Sequence, residues 1–219
     1  MRAMILAAGR GERMRPLTDT KPKPLLEVCG KPLIVHHIER LAQNGFIDIV
    51  INIAHLGEQI PEALGDGSRW GVHISYSDER KSGALESAGG IKKALPLLGN
   101  EPFLVVNGDI YCDYEFNADF KLADKLTHLI LVPNPPHNTK GDFGLEANTL
   151  LNAAPEMFTF SGIGYYHPEL FKNVTLQKSP LAPLLREFSD KRLVSGEVFN
   201  KIWHDIGTPK RLKEINENC

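Results

Sequence analysis

The sequence predicts an α/β fold: a doubly wound, mostly parallel sheet to which a small antiparallel lobe is added late in the chain. Three observations lead there. Short runs rich in Ile, Val and Leu recur at residues 3–7, 47–53, 72–76, 103–106 and 129–132, and unbroken apolar runs of this length suit strands covered on both faces. Longer segments with helical spacing lie between them, as crossover connections require. After Pro133 the pattern gives way to Pro, Gly and Asn and then to short strand-like pieces.

In chain order, residues 3–7 form the first strand, and 32–44 the first helix, with Leu33, Ile34, Ile38 and Leu41 near helical spacing. Residues 57–64 and 87–98 are further helices, the latter opened by Ser87 as a cap. A loop at 133–142 precedes strand-like pieces around 143–151, 158–161 and 164–166. A helix at 181–189, a last strand at 201–205 and a helix at 209–217 capped by Thr208 complete the chain. The expected organisation is one domain, with a nucleotide-binding half over 1–132, a lobe over 133–200 and a closing strand and helix over 201–219. No internal repeat or hexapeptide period is present, which excludes a solenoid.

Composition narrows the function. With 42% hydrophobic and 24% charged residues, disordered and fibrous classes are excluded. The 25 basic and 27 acidic residues leave a formal charge of -2, so no nucleic acid or membrane partner held by bulk charge is expected. Cys29, Cys112 and Cys219 form no C-x-x-C pair, which predicts unpaired thiols in a reducing compartment, the cytoplasm. The apolar start is too short for a signal-peptide core or a membrane span. The glycosylation triplet at 173–175 reads as chance, and adjacent His36 and His37 face different directions on a helix and read as packing or surface.

The chemistry concentrates after the first strand. Ala7, Ala8, Gly9, Gly11, Glu12 and Arg13 form a glycine-bearing loop at the strand's C-terminal end, where open α/β sheets bind ligands. Gly lets backbone amides approach phosphate oxygens closely. The loop is neither a dinucleotide fingerprint nor a Walker loop. Between Gly9 and Pro24 five basic residues face two acidic ones, an excess of +3 in a chain otherwise at -5.

The run Leu6-Ala7-Ala8-Gly9-x-Gly11-x-Arg13-x-x-Pro16-Leu17-Thr18, followed by Lys23-Pro24, resembles the signature of the sugar-nucleotide pyrophosphorylases, nucleotidyltransferases that join a nucleoside triphosphate to a sugar 1-phosphate. The resemblance implies the nucleotide-diphospho-sugar transferase fold, a Rossmann-like sheet with a sugar-binding lobe. It implies that Arg13 and Lys23 hold the triphosphate, and that Asn107 precedes a Gly-Asp turn whose Asp109 binds magnesium. Asp205, in Trp203-His204-Asp205-Ile206-Gly207-Thr208-Pro209, is similar to the second metal carboxylate. Singly, Asp109 reads first as a turn residue and Asp205 as a helix-start residue; the loop signature makes both metal-ligand candidates. Leu85-Glu86-Ser87-Ala88 stands where the family usually has Leu-Gly-Thr-Ala, so Glu86 and Ser87 join the nucleotide-binding candidates, with Glu86 a departure.

The Glu-Lys pair usual in hexose 1-phosphate members is absent. Residues 138–145, 160–164 and 180–185 resemble instead a UTP-using branch that handles a cell-wall amino sugar bearing a lactyl carboxylate. Asp142, Gly144, Ser161 and Gly162 are then the sugar-binding candidates, while Lys140 and Arg186 are alternative partners for the carboxylate. The resemblance implies UTP and a sugar 1-phosphate as reactants, Mg2+ as cofactor, and a monomer or small homo-oligomer. A mannose 1-phosphate guanylyltransferase, a glucose 1-phosphate thymidylyltransferase and an inactive sugar-nucleotide-binding subunit are the alternatives.

Overall fold

A computed structural model describes residues 1–219. The chain runs β1 (Arg2–Leu6), β2 (Glu27–Val28), β3 (Lys31–Pro32), α1 (Leu33–Gln43), β4 (Asp48–Ile53), α2 (Gln59–Leu64), β5 (His73–Asp78), α3 (Glu86–Leu98), β6 (Phe103–Asn107), β7 (Ile110–Cys112) and β8 (Thr127–Val132). It continues through β9 (Phe143–Glu146), β10 (Thr149–Leu151), β11 (Met157–Tyr166), α4 (Leu181–Asp190), β12 (Val194–Val198), β13 (Trp203–Asp205) and α5 (Pro209–Glu217).

Nine strands form one sheet in the order β5-β4-β1-β6-β11-β8-β12-β10-β9. The first four are mutually parallel. The unbroken apolar runs have the reason expected of them: alternate residues serve opposite faces. Ala3, Ile5, Ile49, Ile51, Leu104 and Val106 pack with Ile34, Ile38 and Leu41 of α1 on one side. Met4, Val50, Val105, Leu129 and Leu131 pack with Ile91 and Leu98 of α3 and Leu185 of α4 on the other.

The lobe is a continuation of this sheet rather than a separate layer. Strand β11 is antiparallel to both β6 and β8, and β12, parallel to β8, leads to the β9–β10 hairpin. The pieces read as 158–161 and 164–166 are one strand, interrupted by a bulge between Phe160 and Ile163. Gly162 sits in that bulge at φ +83°, and a Cβ there would lie 2.6 Å from the Asn107 amide, so only glycine fits. No helix is long and apolar enough to cross a membrane.

The expectation of three unpaired thiols is corrected. Cys29 and Cys219 form a disulfide with Cα atoms 5.5 Å apart, because α5 docks on β2. Asn216 accepts the Cys29 amide at 2.7 Å and donates to the Glu27 carbonyl at 3.1 Å. Spacing rules detect local motifs, whereas this pair is made by docking across the whole chain. Cys112 stays free and buried, and burial pushes its thiol up to about 11. Thr208 caps α5 as expected, accepting the Arg211 amide.

His36 Nε2–H donates to the Val28 carbonyl at 2.8 Å, while His37 is buried on α1. Burial first, and then the neighbouring His36, lower the His37 ring from its usual value to about 4. The unfolded chain protonates this ring near pH 6.5 and the folded chain only near pH 4. Between those values the unfolded state binds more protons, and stability falls as pH is lowered. Urea unfolding across that window is expected to show this loss, and His37→Leu to flatten it.

Candidate active site

The C-terminal ends of β1, β4 and β6 open on a cleft of about 550 Å3. Its floor is set by a buried polar chain. The Ala7 amide donates to Asn52 Oδ1 at 2.7 Å, and Asn52 Nδ2 donates to Glu79 Oε1 at 2.7 Å. The Leu85 amide donates to Glu79 Oε2 at 2.8 Å. Glu79 is fully buried with no cation beside it, so these donors are what hold the first loop, β4 and the start of α3 together. Sequence reasoning missed Asn52 and Glu79; a polar residue inside the apolar run 47–53 was the available signal.

Gly11 adopts φ +64°, and a Cβ there would meet Thr18 Cγ2 at 2.9 Å. Thr18 in turn donates to the Gly11 carbonyl at 2.8 Å, locking the loop. Ala7, Ala8, Gly9, Gly11, Glu12, Arg13, Lys23, Glu86, Ser87, Asn107 and Asp109 all line the cleft. Of the five basic residues in the loop, Arg15 pairs with Asp19 and Lys21 with Glu27, so the +3 excess does not all face the ligand. Arg10, Arg13 and Lys23 do face it, together with Glu12, Glu79, Glu86 and Asp109. Cations and carboxylates thus share the cleft, with Arg10, Glu12 and Arg13 in the glycine loop and Glu79 and Glu86 near the start of α3. Such a lining offers donors to an anionic group and acceptors to hydroxyl or N–H groups.

Helix α3 begins at Glu86, so Ser87 lies inside it and is not its cap. The orphan amides of Ala88 and Gly89 donate instead to the Ser179 carbonyl at 2.9 and 3.1 Å. Glu86 has φ +60° and no hydrogen-bond or ion-pair partner. The usual family glycine at this place has a plain reason, since a left-handed backbone is strained for glutamate.

Lys23 Nζ donates to Asp109 Oδ2 at 2.7 Å, a half-buried ion pair. Asp205 reaches the same neighbourhood through the β7–β13 ladder, in which it stands opposite Ile110, and the Ile206 amide donates to the Asp109 carbonyl at 2.7 Å. Asp205 Oδ1 lies 3.0 Å from His137 Nε2, and its Oδ2 accepts from Arg211 Nη1. No cluster of three or more His, Cys, Asp or Glu is present. Two carboxylates on adjoining backbone, with no third, fit a hard cation such as magnesium that completes its shell with water and phosphate oxygens.

The sugar candidates lie behind this surface. Asp142 Oδ2 accepts from the Phe160 amide at 2.8 Å and Asn138 Nδ2 at 3.2 Å. A Cβ on Gly144 would meet Ala154 Cβ at 2.2 Å, so its smallness serves packing. Ser161 is buried, its hydroxyl committed to the Ile130 carbonyl at 2.7 Å, while its own carbonyl accepts from the Trp203 indole at 2.9 Å. Gly162 backs Asn107. Arg186 stacks over the Phe143 ring, 5.0 Å from its centroid, and Lys140 is exposed.

A family profile described as nucleotidyl transferase matches residues 2–149. The chain belongs to the nucleotidyl transferase family. It is 55% identical over 98% of its length to an N-acetylmuramate alpha-1-phosphate uridylyltransferase of Neisseria meningitidis serogroup B, of which the match covers 96%. It is 31% identical over 96% of its length to a mannose-1-phosphate guanyltransferase of Hypocrea jecorina, spanning 62% of that protein. A crystal structure of a Bacillus anthracis protein, described as a glucose-1-phosphate thymidylyltransferase, superposes with a TM-score of 0.86 at 22% identity, covering 100% of this chain and 94% of the other. The nucleotidyl transferase fold is thereby shared over its whole length.

Two outcomes test this geometry. Asn52→Leu strands the Ala7 amide and the Glu79 carboxylate and is expected to lower unfolding free energy by about 3 kcal/mol in urea titration. Glu86→Gly relieves the left-handed strain and is expected to add about 1 kcal/mol of stability while raising the nucleotide KM.

Proposed function

We propose that the protein transfers UMP from UTP to N-acetylmuramate 1-phosphate, giving UDP-N-acetylmuramate and pyrophosphate. The near-complete overlap with the Neisseria uridylyltransferase carries the reading. The cleft supports it, because unpaired Arg10 and Arg13 stand where a triphosphate would lie. Residues 1–132 bind the nucleotide and 133–200 shape the sugar side. The cytoplasm is proposed for the reaction on the strength of its phosphorylated substrates and not of the thiols, two of which are paired, with the enzyme acting as a monomer or small homo-oligomer.

A phosphate oxygen of the sugar 1-phosphate attacks the α-phosphorus; as that P–O bond forms, the α–β bridging bond breaks and pyrophosphate leaves with the electron pair. A phosphate oxygen is already a competent nucleophile, so the protein's task is alignment and charge neutralisation. Arg13 and the loop amides of Gly9 and Gly11 hold the β- and γ-phosphates. Lys23 contacts the transferring group, and its ion pair with Asp109 keeps its ammonium aimed at that point. The Asp109 and Asp205 carboxylates would hold Mg2+, which supplies neutralising charge between two anionic reactants. Glu86 and Ser87 meet the nucleoside, and Asn107, backed by Gly162, lies between the two substrates.

Pyrophosphate release, measured with magnesium across four nucleoside triphosphates and several sugar 1-phosphates, is expected to peak with UTP and N-acetylmuramate 1-phosphate. Activity confined to GTP and mannose 1-phosphate would refute the reading, and no activity in any combination would favour a binding-only subunit. Lys23→Ala is expected to lower kcat by about 100-fold or more with a smaller change in the UTP KM; near-normal kcat would remove Lys23 from its role.

A further inference from the structure

A second cavity, of about 1030 Å3, lies across the β7–β13 ladder from the nucleotide cleft and shares no lining residue with it. Trp203, Asp205 and Arg211 stand on its walls, and both Cys29 and Cys219 line it. We infer that the Cys29–Cys219 bond is a thiol–disulfide exchange site for a low-molecular-weight thiol, and that its state sets how firmly α5 is docked.

In the reducing compartment proposed for the reaction, a disulfide is open to exchange unless its sulfurs are shielded. These two differ in shielding. Cys219 is exposed and follows the end of α5, whereas Cys29 is half-buried and packs with Tyr111 against the small core under that helix. A small thiolate entering by the cavity therefore meets the Cys219 sulfur first. A new S–S bond forms there, the Cys29–Cys219 bond breaks, and Cys29 leaves with the electron pair. The Tyr111 hydroxyl, 3.8 Å from Cys29 Sγ, is placed to donate to that thiolate. A second small thiol then attacks the small-molecule sulfur of the mixed disulfide and expels Cys219. Two small thiols are thereby oxidised to one disulfide, the two cysteines are reduced, and the protons of the small thiols pass to the cysteines.

The bond joins distant parts of the chain. Cys29 lies on the turn between β2 and β3, downstream of Lys23, and Cys219 follows the helix whose Arg211 holds Asp205. With the bond open, the end of α5 is still tied to β2 by the two hydrogen bonds of Asn216 and to the core by Ile215. Thr208 keeps its cap at the other end. Opening therefore loosens the last turn of α5 first. The closed bond also spans 190 residues, so it restricts the unfolded chain over most of its length.

The test equilibrates the folded protein with reduced and oxidised glutathione at varied ratios, quenches with acid, unfolds the chain and counts free thiols by mass spectrometry after N-ethylmaleimide. Oxidising mixtures are expected to leave one thiol, Cys112, and reducing mixtures three. Brief exposure to reduced glutathione is expected to place the glutathionyl group on Cys219 in peptide maps. In the reduced protein, hydrogen exchange is expected to rise at amides 215–218 and the melting temperature to fall by about 5 °C. Cys219→Ser is expected to show both changes in either mixture. A bond that stays closed at the most reducing ratio, or three thiols at the most oxidising one, refutes the exchange site. Glutathionyl on Cys29 refutes attack at Cys219, and unmoved hydrogen exchange and melting refute control of α5. Neither UTP nor a sugar phosphate enters these measurements, so their outcome is separate from that of the proposed reaction.

Discussion

The amide of Ile206 meets the carbonyl of Asp109, and beside this bond β13 pairs with β7 over three residues. The arrangement of both cavities depends on that short ladder. It carries the late segment back to the C-terminal edge of the parallel strands, where it sets the two aspartates side by side and fixes Arg211 and Trp203 in the wall beyond. Three residue pairs are too few to be stable alone. The ladder is held by a small core in which Ile206, Leu212 and Ile215 pack with Met14, Leu26, Val28 and Leu33, so the same contacts that dock α5 also brace the glycine loop.

Electrostatics at the site are arranged by position rather than by total. The net charge of -2 conceals a cleft in which Arg10, Arg13 and Lys23 stand among Glu12, Glu79, Glu86 and Asp109. Asp109 and Asp205 are each paired with a protein cation, Lys23 for the first and Arg211 for the second, and the His137 ring lies beside Asp205. Binding at either aspartate is thus an exchange of partners, which avoids leaving a bare carboxylate half-buried.

Much of the sheet was legible because its strands are buried on both faces, which imprints continuous apolar runs, and because α1 buries a clear stripe. Strand β12 was not legible: Ser195, Gly196 and Glu197 break the apolar pattern, and the segment is a strand because β8 and β10 flank it. The cleft-lining residues of the first loop were legible because one contiguous segment carries them. Asp205 and Arg211 are only six residues apart, but His137 and Asp109 join them through long-range docking, and neither the Cys29–Cys219 bond nor the Asn52–Glu79 tie leaves a local pattern. Ser161, in a site-like motif, turns its hydroxyl into the sheet, an orientation that the sequence does not reveal.

The lateness of β13 also bears on how the site comes into being. A chain emerging from its N-terminus can complete β1, β4, β5 and β6, and with them the walls of the nucleotide cleft, long before Asp205 exists. The border between the two cavities is then finished by a contact of high sequence separation, among the slowest kinds to form. A nascent or truncated chain would have the walls of the first cleft without Asp205 or the α5 side of the border, so on the proposed reading a place for the nucleotide forms before the reactive arrangement is complete.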